Sequence, residues 1–203
     1  MNFLAHLYLS DDTPAAMAGN LLADFVKGPD VARLPADVQA GVRHHRRVDA
    51  FTDRHPLVQR SITRIGREWG WFSGIIIDVY YDHILAANWD RYSPLPLRAF
   101  ADHAHRAVLT LADVLPAEAR GYAFRLIESD RLVSYARLAG VEEALHRLSD
   151  RIAERIPTRA VRLEGAVPDL RAVHPRLEDD FHEFFPQIAA FSGANIAGKK
   201  AVV

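Results

Sequence analysis

The sequence predicts an all-α fold, a single-domain multi-helix bundle, and three observations support this. Apolar residues recur at helical spacing along most of the chain, and proline and glycine separate these segments. No set of alternating strands and no internal repeat is evident. The 203 residues, 49% of them hydrophobic, suffice for one domain with a sizeable core. We expect residues 1–191 to form this single helical domain and residues 192–203 to be a flexible C-terminal tail.

Four helices beyond the apolar N-terminal segment are predicted in the first half of the chain. The segment Asp11-Asp12-Thr13-Pro14 is typical of a capped helix start, and His55-Pro56 separates two later helices. The segment Ile75-Ile76-Ile77 alone is compatible with a strand, but the length of the surrounding pattern favours a helix. The predicted helices span residues 15–26, 35–53, 57–69 and 72–89.

Six further helices are predicted in the second half of the chain. Gly140 is expected to separate two of them, because glycine weakens a helix interior. Pro175 is expected to bend or split the last one, because proline lacks the N–H that continues a helix. The predicted helices span residues 97–115, 116–127, 130–138, 141–156, 158–167 and 168–191.

The composition excludes several kinds of site. The chain has no cysteine, so any metal must be held by histidine, aspartate or glutamate. No apolar run approaches the roughly 20 residues of a membrane span, and the N-terminus is a poor signal peptide, so a cytoplasmic location is predicted. The sequence lacks a phosphate-binding glycine loop and a Gly-x-Ser-x-Gly elbow, which leaves nucleotide switching and serine-based hydrolysis unsupported.

Two rows of polar residues at four-residue spacing stand among apolar neighbours. One row is His45, Asp49 and Asp53; the other is Asp78 and Asp82, with an adjacent histidine at position 83. Residues four apart lie on the same face of a helix, so each row forms one polar stripe. Such stripes are typical of a metal-dependent hydrolase, although we expect Asp53, at the helix end, to cap or support rather than bind.

His6 and Asp24 are further polar residues in apolar segments. Taken alone, a core histidine and a buried aspartate paired to arginine would be the ordinary interpretations of these two residues. Together with the two rows, they supply the carboxylates and imidazoles that bind Mn²⁺, Fe²⁺ or Zn²⁺ in hydrolytic sites. Arg46 and Arg47 lie beside His45, where one of them can clamp a phosphate through two hydrogen bonds.

An excess of arginine in residues 41–70 gives this stretch a net charge of +4 although the whole chain has −1. A basic stretch of this kind suits an anionic partner such as phosphate, nucleic acid or an acidic protein. The alternative interpretation is an ordinary solvated face of a helix.

These motifs together resemble the acyl carrier protein phosphodiesterases. The matching segments are residues 2–7, residues 19–26, His45-Arg46-Arg47 with Asp49, Thr52-Asp53, and Asp78-Val79 with Asp82-His83. The resemblance implies an HD-domain-like, metal-dependent enzyme that hydrolyses the phosphodiester between 4′-phosphopantetheine and a serine of holo acyl carrier protein. It implies Mn²⁺ as the cofactor, with Fe²⁺, Mg²⁺ or Zn²⁺ as alternatives, and holo acyl carrier protein as the partner, with no nucleic acid and no membrane.

On this basis we assign roles to individual residues. The predicted metal ligands are His6, Asp24, His45, Asp49 and Asp78. The predicted substrate-binding residues are Asn20, Arg46 and Arg47. Asp24 is also expected to be catalytic, and Asp82 and His83 are expected to orient ligands or exchange protons with the attacking water or the leaving serine oxygen. Arg60 and Arg64 are expected to dock the acidic carrier protein.

Two other functions fit the same residues. One is an HD-like phosphohydrolase that acts on a nucleotide or another small phosphodiester, which would use the same site. The other is a non-enzymatic helical binding module, in which the first polar row forms internal salt bridges with Arg46, Arg47 and Arg54.

Overall fold

The computed structural model describes residues 1–156 and 161–193, and within them it contains helices and no strand, which confirms the all-α fold. Three short 3₁₀ turns, at Gly70–Phe72, Ala112–Val114 and Leu163–Ala166, join some of the helices. The α-helices are α1 Phe3–Tyr8, α2 Pro14–Leu22, α3 Gly28–Val31, α4 Ala36–Arg54, α5 Pro56–Arg64, α6 Ser73–Ala87, α7 Trp89–Tyr92, α8 Leu97–Thr110, α9 Ala117–Glu128, α10 Arg131–Ser134, α11 Leu138–Arg155, α12 Val167–Ala172 and α13 His174–Ser192.

The predicted helix starts agree better with the structure than the predicted ends. The Thr13 side chain caps α2 by accepting a hydrogen bond from the Ala16 N–H, as its sequence indicated. However, α2 ends at Leu22 and α5 at Arg64, four and five residues before the predicted ends. Asp24 therefore lies in the turn after α2 and not within a helix.

The prediction that Gly140 separates two helices is wrong, because α11 runs through it. A Cβ atom at this position would lie 2.0 Å from the Ser134 carbonyl oxygen, so glycine is needed for close approach to the end of α10. The predicted split of the last helix is confirmed: α12 ends before Val173, and Pro175 lies in the first turn of α13. Residues 158–160 of the predicted helix 158–167, and residues 194–203 of the predicted tail, lie outside the described residues.

Helices α2 and α4 cross at two glycines, and this crossing positions half of the site. A Cβ atom on Gly19 would lie 2.3 Å from the Val38 carbonyl oxygen, and one on Gly41 would lie 2.6 Å from the Ala16 carbonyl oxygen. Only glycine permits the two backbones to approach this closely. The crossing brings the turn that carries Asp24 beside the middle of α4.

Helix α6 forms the centre of the bundle and contacts α1, α5, α11 and α13. Its Tyr80 and Tyr81 are buried, and Phe181, Phe184 and Phe185 of α13 are fully buried against the same core. Burial of each such side chain stabilises the fold by about 1.5–3 kcal/mol. The core thus holds α6 and α1 in fixed relation to α4.

No helix in the described part of the chain has both the length and the apolarity needed to cross a membrane.

Candidate metal centre

Two imidazoles and a carboxylate from two helices meet at one point. His6 of α1 and His45 of α4 each place Nε2 against one oxygen of Asp49, at 2.9 and 3.0 Å. The two rings stack with their centroids 3.7 Å apart. Both histidines are buried, whereas the Asp49 side chain is 37% exposed, so the cluster is open to solvent on its carboxylate side.

The remaining carboxylates predicted as ligands surround this trio. Asp24 Oδ1 lies 3.4 Å from His45 Nε2, and its side chain is half-exposed. Asp78 and Asp49 lie on either side of the Met1 amino group, whose nitrogen is 2.9 and 3.6 Å from their carboxylates. Together with His45, these groups line a cavity of about 440 Å³.

Asp53 lines the same cavity, so the whole row of α4 faces it, as the four-residue spacing predicted. It caps no helix, since α4 continues to Arg54. Burial, together with the nearby charge of Asp78, raises the pKa of the Asp53 carboxyl.

The two histidines of the trio have pKa values shifted in opposite directions. Burial and the neighbouring His45 lower the pKa of His6 to about 4, so this ring is neutral at pH 7. Burial also opposes charge on His45, but hydrogen bonds to Asp24 and Asp49 raise its pKa to about 9. Asp49 stays ionised, because hydrogen bonds from both histidines hold its pKa well below the usual range despite burial.

The trio meets the chemical requirements for a divalent transition-metal ion. One ligand atom from each of His6, His45 and Asp49 can be chosen so that all lie within 4.8 Å of one another. Imidazole nitrogen and carboxylate oxygen are ligands of Mn²⁺, Fe²⁺ and Zn²⁺. The Nδ1 atoms of both rings are buried without a hydrogen-bond partner among the described residues, so stacking and packing, not second hydrogen bonds, orient the rings. Asp24 and Asp78 can supply further oxygens.

The structure does not bring Asp82 and His83 to the cavity, which corrects their predicted proton-exchange role. Asp82 is fully buried and accepts hydrogen bonds from the Leu4 and Ala5 N–H groups at the start of α1. His83 Nδ1 donates to the Tyr135 carbonyl oxygen at 2.7 Å. Asp82 therefore positions α1, which carries His6, while His83 supports packing elsewhere. Of the two carboxylates in the α6 row, Asp78 lines the cavity, whereas α1 covers Asp82.

The predicted substrate-binding residues also lie away from the cavity wall. Asn20 is buried and donates to the Ala16 carbonyl oxygen. Arg46 donates to the Val26 carbonyl oxygen, and Arg47 lies over the Phe191 ring. Neither of these arginines, nor Arg54, forms an ion pair with a carboxylate of the His45 row within the described residues, so the salt-bridge network of the non-enzymatic alternative is not present there.

The predicted docking residues Arg60 and Arg64 instead form an internal ion-pair network. Arg60 Nε and Arg64 Nε lie 2.8 and 2.7 Å from the two oxygens of Asp180, which is fully buried in α13. Ser61 donates to the same carboxylate. These arginines thus join α5 to α13, and the predicted free basic surface is not present at this position.

The cavity has a second wall of arginines that the sequence interpretation missed. Three of them follow one another at four-residue spacing on α11, and the fourth begins α10. They are Arg131, Arg147, Arg151 and Arg155. The same spacing rule that selected the His45 row identifies these α11 residues as one face, but nothing in the sequence shows that this face lines the same cavity as the carboxylates.

Comparisons with known proteins point to one family. The profile of a family described as acyl carrier protein phosphodiesterase matches residues 1–188. Similar proteins of that name include one from Shigella boydii, 35% identical over 94% of this chain and 96% of its own length. One from Photorhabdus laumondii is 35% identical over 92% of each chain, and one from Salmonella agona is 34% identical over 94% and 96%. No solved structure matches the chain.

Proposed function

The chain belongs to the acyl carrier protein phosphodiesterase family, and we propose that the cavity around Asp49 is where it carries out the family's reaction. That reaction is the hydrolysis of the phosphodiester that joins 4′-phosphopantetheine to a serine of holo acyl carrier protein. Water adds to phosphorus, the bond to the serine oxygen breaks, and apo carrier and 4′-phosphopantetheine leave.

The convergence of His6, His45 and Asp49 beside an open cavity carries this proposal. We propose that these three residues, with Asp24 and Asp78, hold one or more divalent ions, with Mn²⁺ as the preferred ion and Fe²⁺, Mg²⁺ or Zn²⁺ as alternatives. When bound, such an ion supplies Lewis acidity that neutralises phosphate charge and lowers the pKa of a water molecule.

The protein's own groups supply position and proton transfer. His6 and His45 are fixed by burial and by stacking, so their nitrogens stay aimed at one point. We propose that Asp24, which is half-exposed and lines the cavity, accepts a hydrogen bond from the attacking water. Asp82 acts indirectly, because it anchors the α1 backbone that presents His6.

The mass of a holo carrier protein after incubation with the purified protein and Mn²⁺ tests this function. We expect loss of the phosphopantetheine arm, and no such loss after chelation of the metal. A parallel assay with cyclic and linear nucleotides tests the alternative. Cleavage of nucleotides with the arm left intact would replace the proposed substrate with a small phosphodiester.

The remaining partner and location assignments stay predictions. We propose a cytoplasmic protein with no nucleic-acid or membrane partner, and the HD-domain-like relation of its fold is proposed on the same resemblance.

A further inference from the structure

Two guanidinium groups in the cavity wall contact the same neutral ring. Arg131 Nη1 donates to the Tyr122 hydroxyl at 2.6 Å, and its guanidinium carbon lies 5.3 Å from the centre of that ring. Arg151 lies over the ring at 4.9 Å. Tyr122 is buried, and burial raises the pKa of its hydroxyl, so the phenol does not neutralise either arginine.

Neither guanidinium has a carboxylate within ion-pair distance among residues 1–156 and 161–193. Arg131 is 8% exposed, and its Nε is buried with no hydrogen-bond partner in the same part of the chain. A guanidinium group is not deprotonated in proteins, and an unpaired buried charge is costly. Arg131 is therefore arranged for an anion that the folded chain does not itself provide.

The neighbouring arginines of the same wall lack this property. Arg147 lies 2.8 Å from Glu143, and Arg155, which is exposed, lies 3.8 Å from Glu118. Carboxylates already engage them, so the unmet positive charge is concentrated at Arg131 and Arg151.

The anion that suits this pair can be identified from its chemistry. A planar guanidinium presents parallel N–H groups that match two oxygens of a phosphate. The same cavity is lined by His45 and Asp49, and since a carboxylate does not attract an anion, the guanidinium groups are the lining groups suited to bind phosphate oxygens. We propose, resting on the proposed function, that Arg131 and Arg151 bind the non-bridging phosphate oxygens of the substrate. Tyr122 holds both side chains in place.

This site explains how the substrate is oriented in the cavity. The two arginines and the His45 and Asp49 cluster line the same cavity, so a phosphate held by the guanidinium groups stays in the cavity that the cluster faces. The guanidinium groups donate hydrogen bonds and remain charged throughout, so they transfer no proton. They are substrate-binding residues that stabilise negative charge on phosphate.

Titration calorimetry of chelated, metal-free protein with inorganic phosphate tests the site without any activity. We expect Arg151→Gln to raise the Kd for phosphate about 10- to 100-fold, the range expected for lost hydrogen bonds to a charged group. Arg151→Lys should recover only part of the affinity, because an ammonium lacks the planar fork. The control is Arg33→Gln, an exposed arginine outside the cavity, which should leave the Kd unchanged.

Arg131→Gln should also raise the Kd for phosphate, provided that circular dichroism shows native helix content. Arg151, which is less buried, keeps the test valid if that variant does not fold. Undetectable phosphate binding by the wild type, or an equal Kd in wild type and Arg151→Gln, would overturn the site. A wild type that binds phosphate through Arg151 but leaves holo carrier intact with Mn²⁺ would contradict the proposed function instead.

Discussion

Asp49 and Asp180 are two carboxylates that each accept hydrogen bonds from several side chains, yet their surroundings differ. Asp180 is fully buried, and its partners are the guanidinium groups of Arg60 and Arg64. Asp49 is 37% exposed, and its partners are imidazoles. A guanidinium cannot lose its proton to bind a metal, whereas an imidazole can.

The difference separates a structural ion pair from a functional site. In the Asp180 network, side chains of α5 donate hydrogen bonds to both carboxylate oxygens, and these bonds join α5 to α13. The Asp49 cluster opens on a cavity and offers ligand atoms that a metal ion can bind. The kind of partner and its access to solvent therefore decide the role, and the number of charges in the cluster does not.

Asp49→Asn should have the largest effect on activity. We expect turnover of holo carrier in the presence of Mn²⁺ to fall by more than about 100-fold, since loss of even an outer-shell partner of a metal ligand costs 10- to 100-fold. The variant should still fold, which circular dichroism checks. Turnover near that of the wild type would show that Asp49 is not a ligand.

Asp180→Ala should have the opposite effect: the protein should lose stability and keep its turnover. Breaking a buried ion pair costs about 3 kcal/mol or more, although partial exposure of Arg60 lets water solvate it and reduces the loss. Urea denaturation measures this change in the free energy of unfolding, and turnover at a temperature below the transition should stay near that of the wild type. A stable but inactive variant would remove the distinction between the two clusters.

The pH dependence of the same pair sharpens this prediction. Burial opposes charge on Asp180, but hydrogen bonds from Arg64, Arg60 and Ser61 lower its pKa below the unfolded value of about 3.9. Its contribution to stability is present above that pH and is lost as pH falls through the lowered value. The stability difference between wild type and Asp180→Asn, measured by urea denaturation, should therefore be smaller at pH 3 than at pH 7. An equal stability difference at both pH values would mean that the charge of the Asp180 carboxylate does not stabilise the fold.

Asp82→Asn should have the smallest effect. It should lower both the stability of the fold and the affinity for the metal ion. It weakens the cap of α1 and should cost about 1–2 kcal/mol of stability, since an asparagine oxygen can still accept one of the two hydrogen bonds. Because α1 carries His6, Mn²⁺ affinity should fall as well, measured by calorimetry. Reduced stability with unchanged affinity would show that α1 holds His6 without this cap.

The sequence predicted the faces of helices well and their neighbours poorly. The spacing of His45, Asp49 and Asp53 correctly placed all three on one side of α4. The same spacing could not show that α1 covers Asp82 or that Asp180 lies across from Arg60. Spacing along one helix determines which face each side chain lies on. The partner of a charged group, however, comes from another part of the chain, which this spacing does not identify. Arg131 was missed for this reason, since Tyr122 and the cavity wall meet it only in the folded protein.

Calorimetric titration of Mn²⁺ into chelated wild type, Asp49→Asn and Asp180→Asn tests the central claim most directly. Wild type and Asp180→Asn should bind Mn²⁺ with the same affinity, and Asp49→Asn should lose that binding while it stays folded. Equal binding by all three proteins, or binding by none, would contradict the assignment of the His6, His45 and Asp49 cluster as the metal centre.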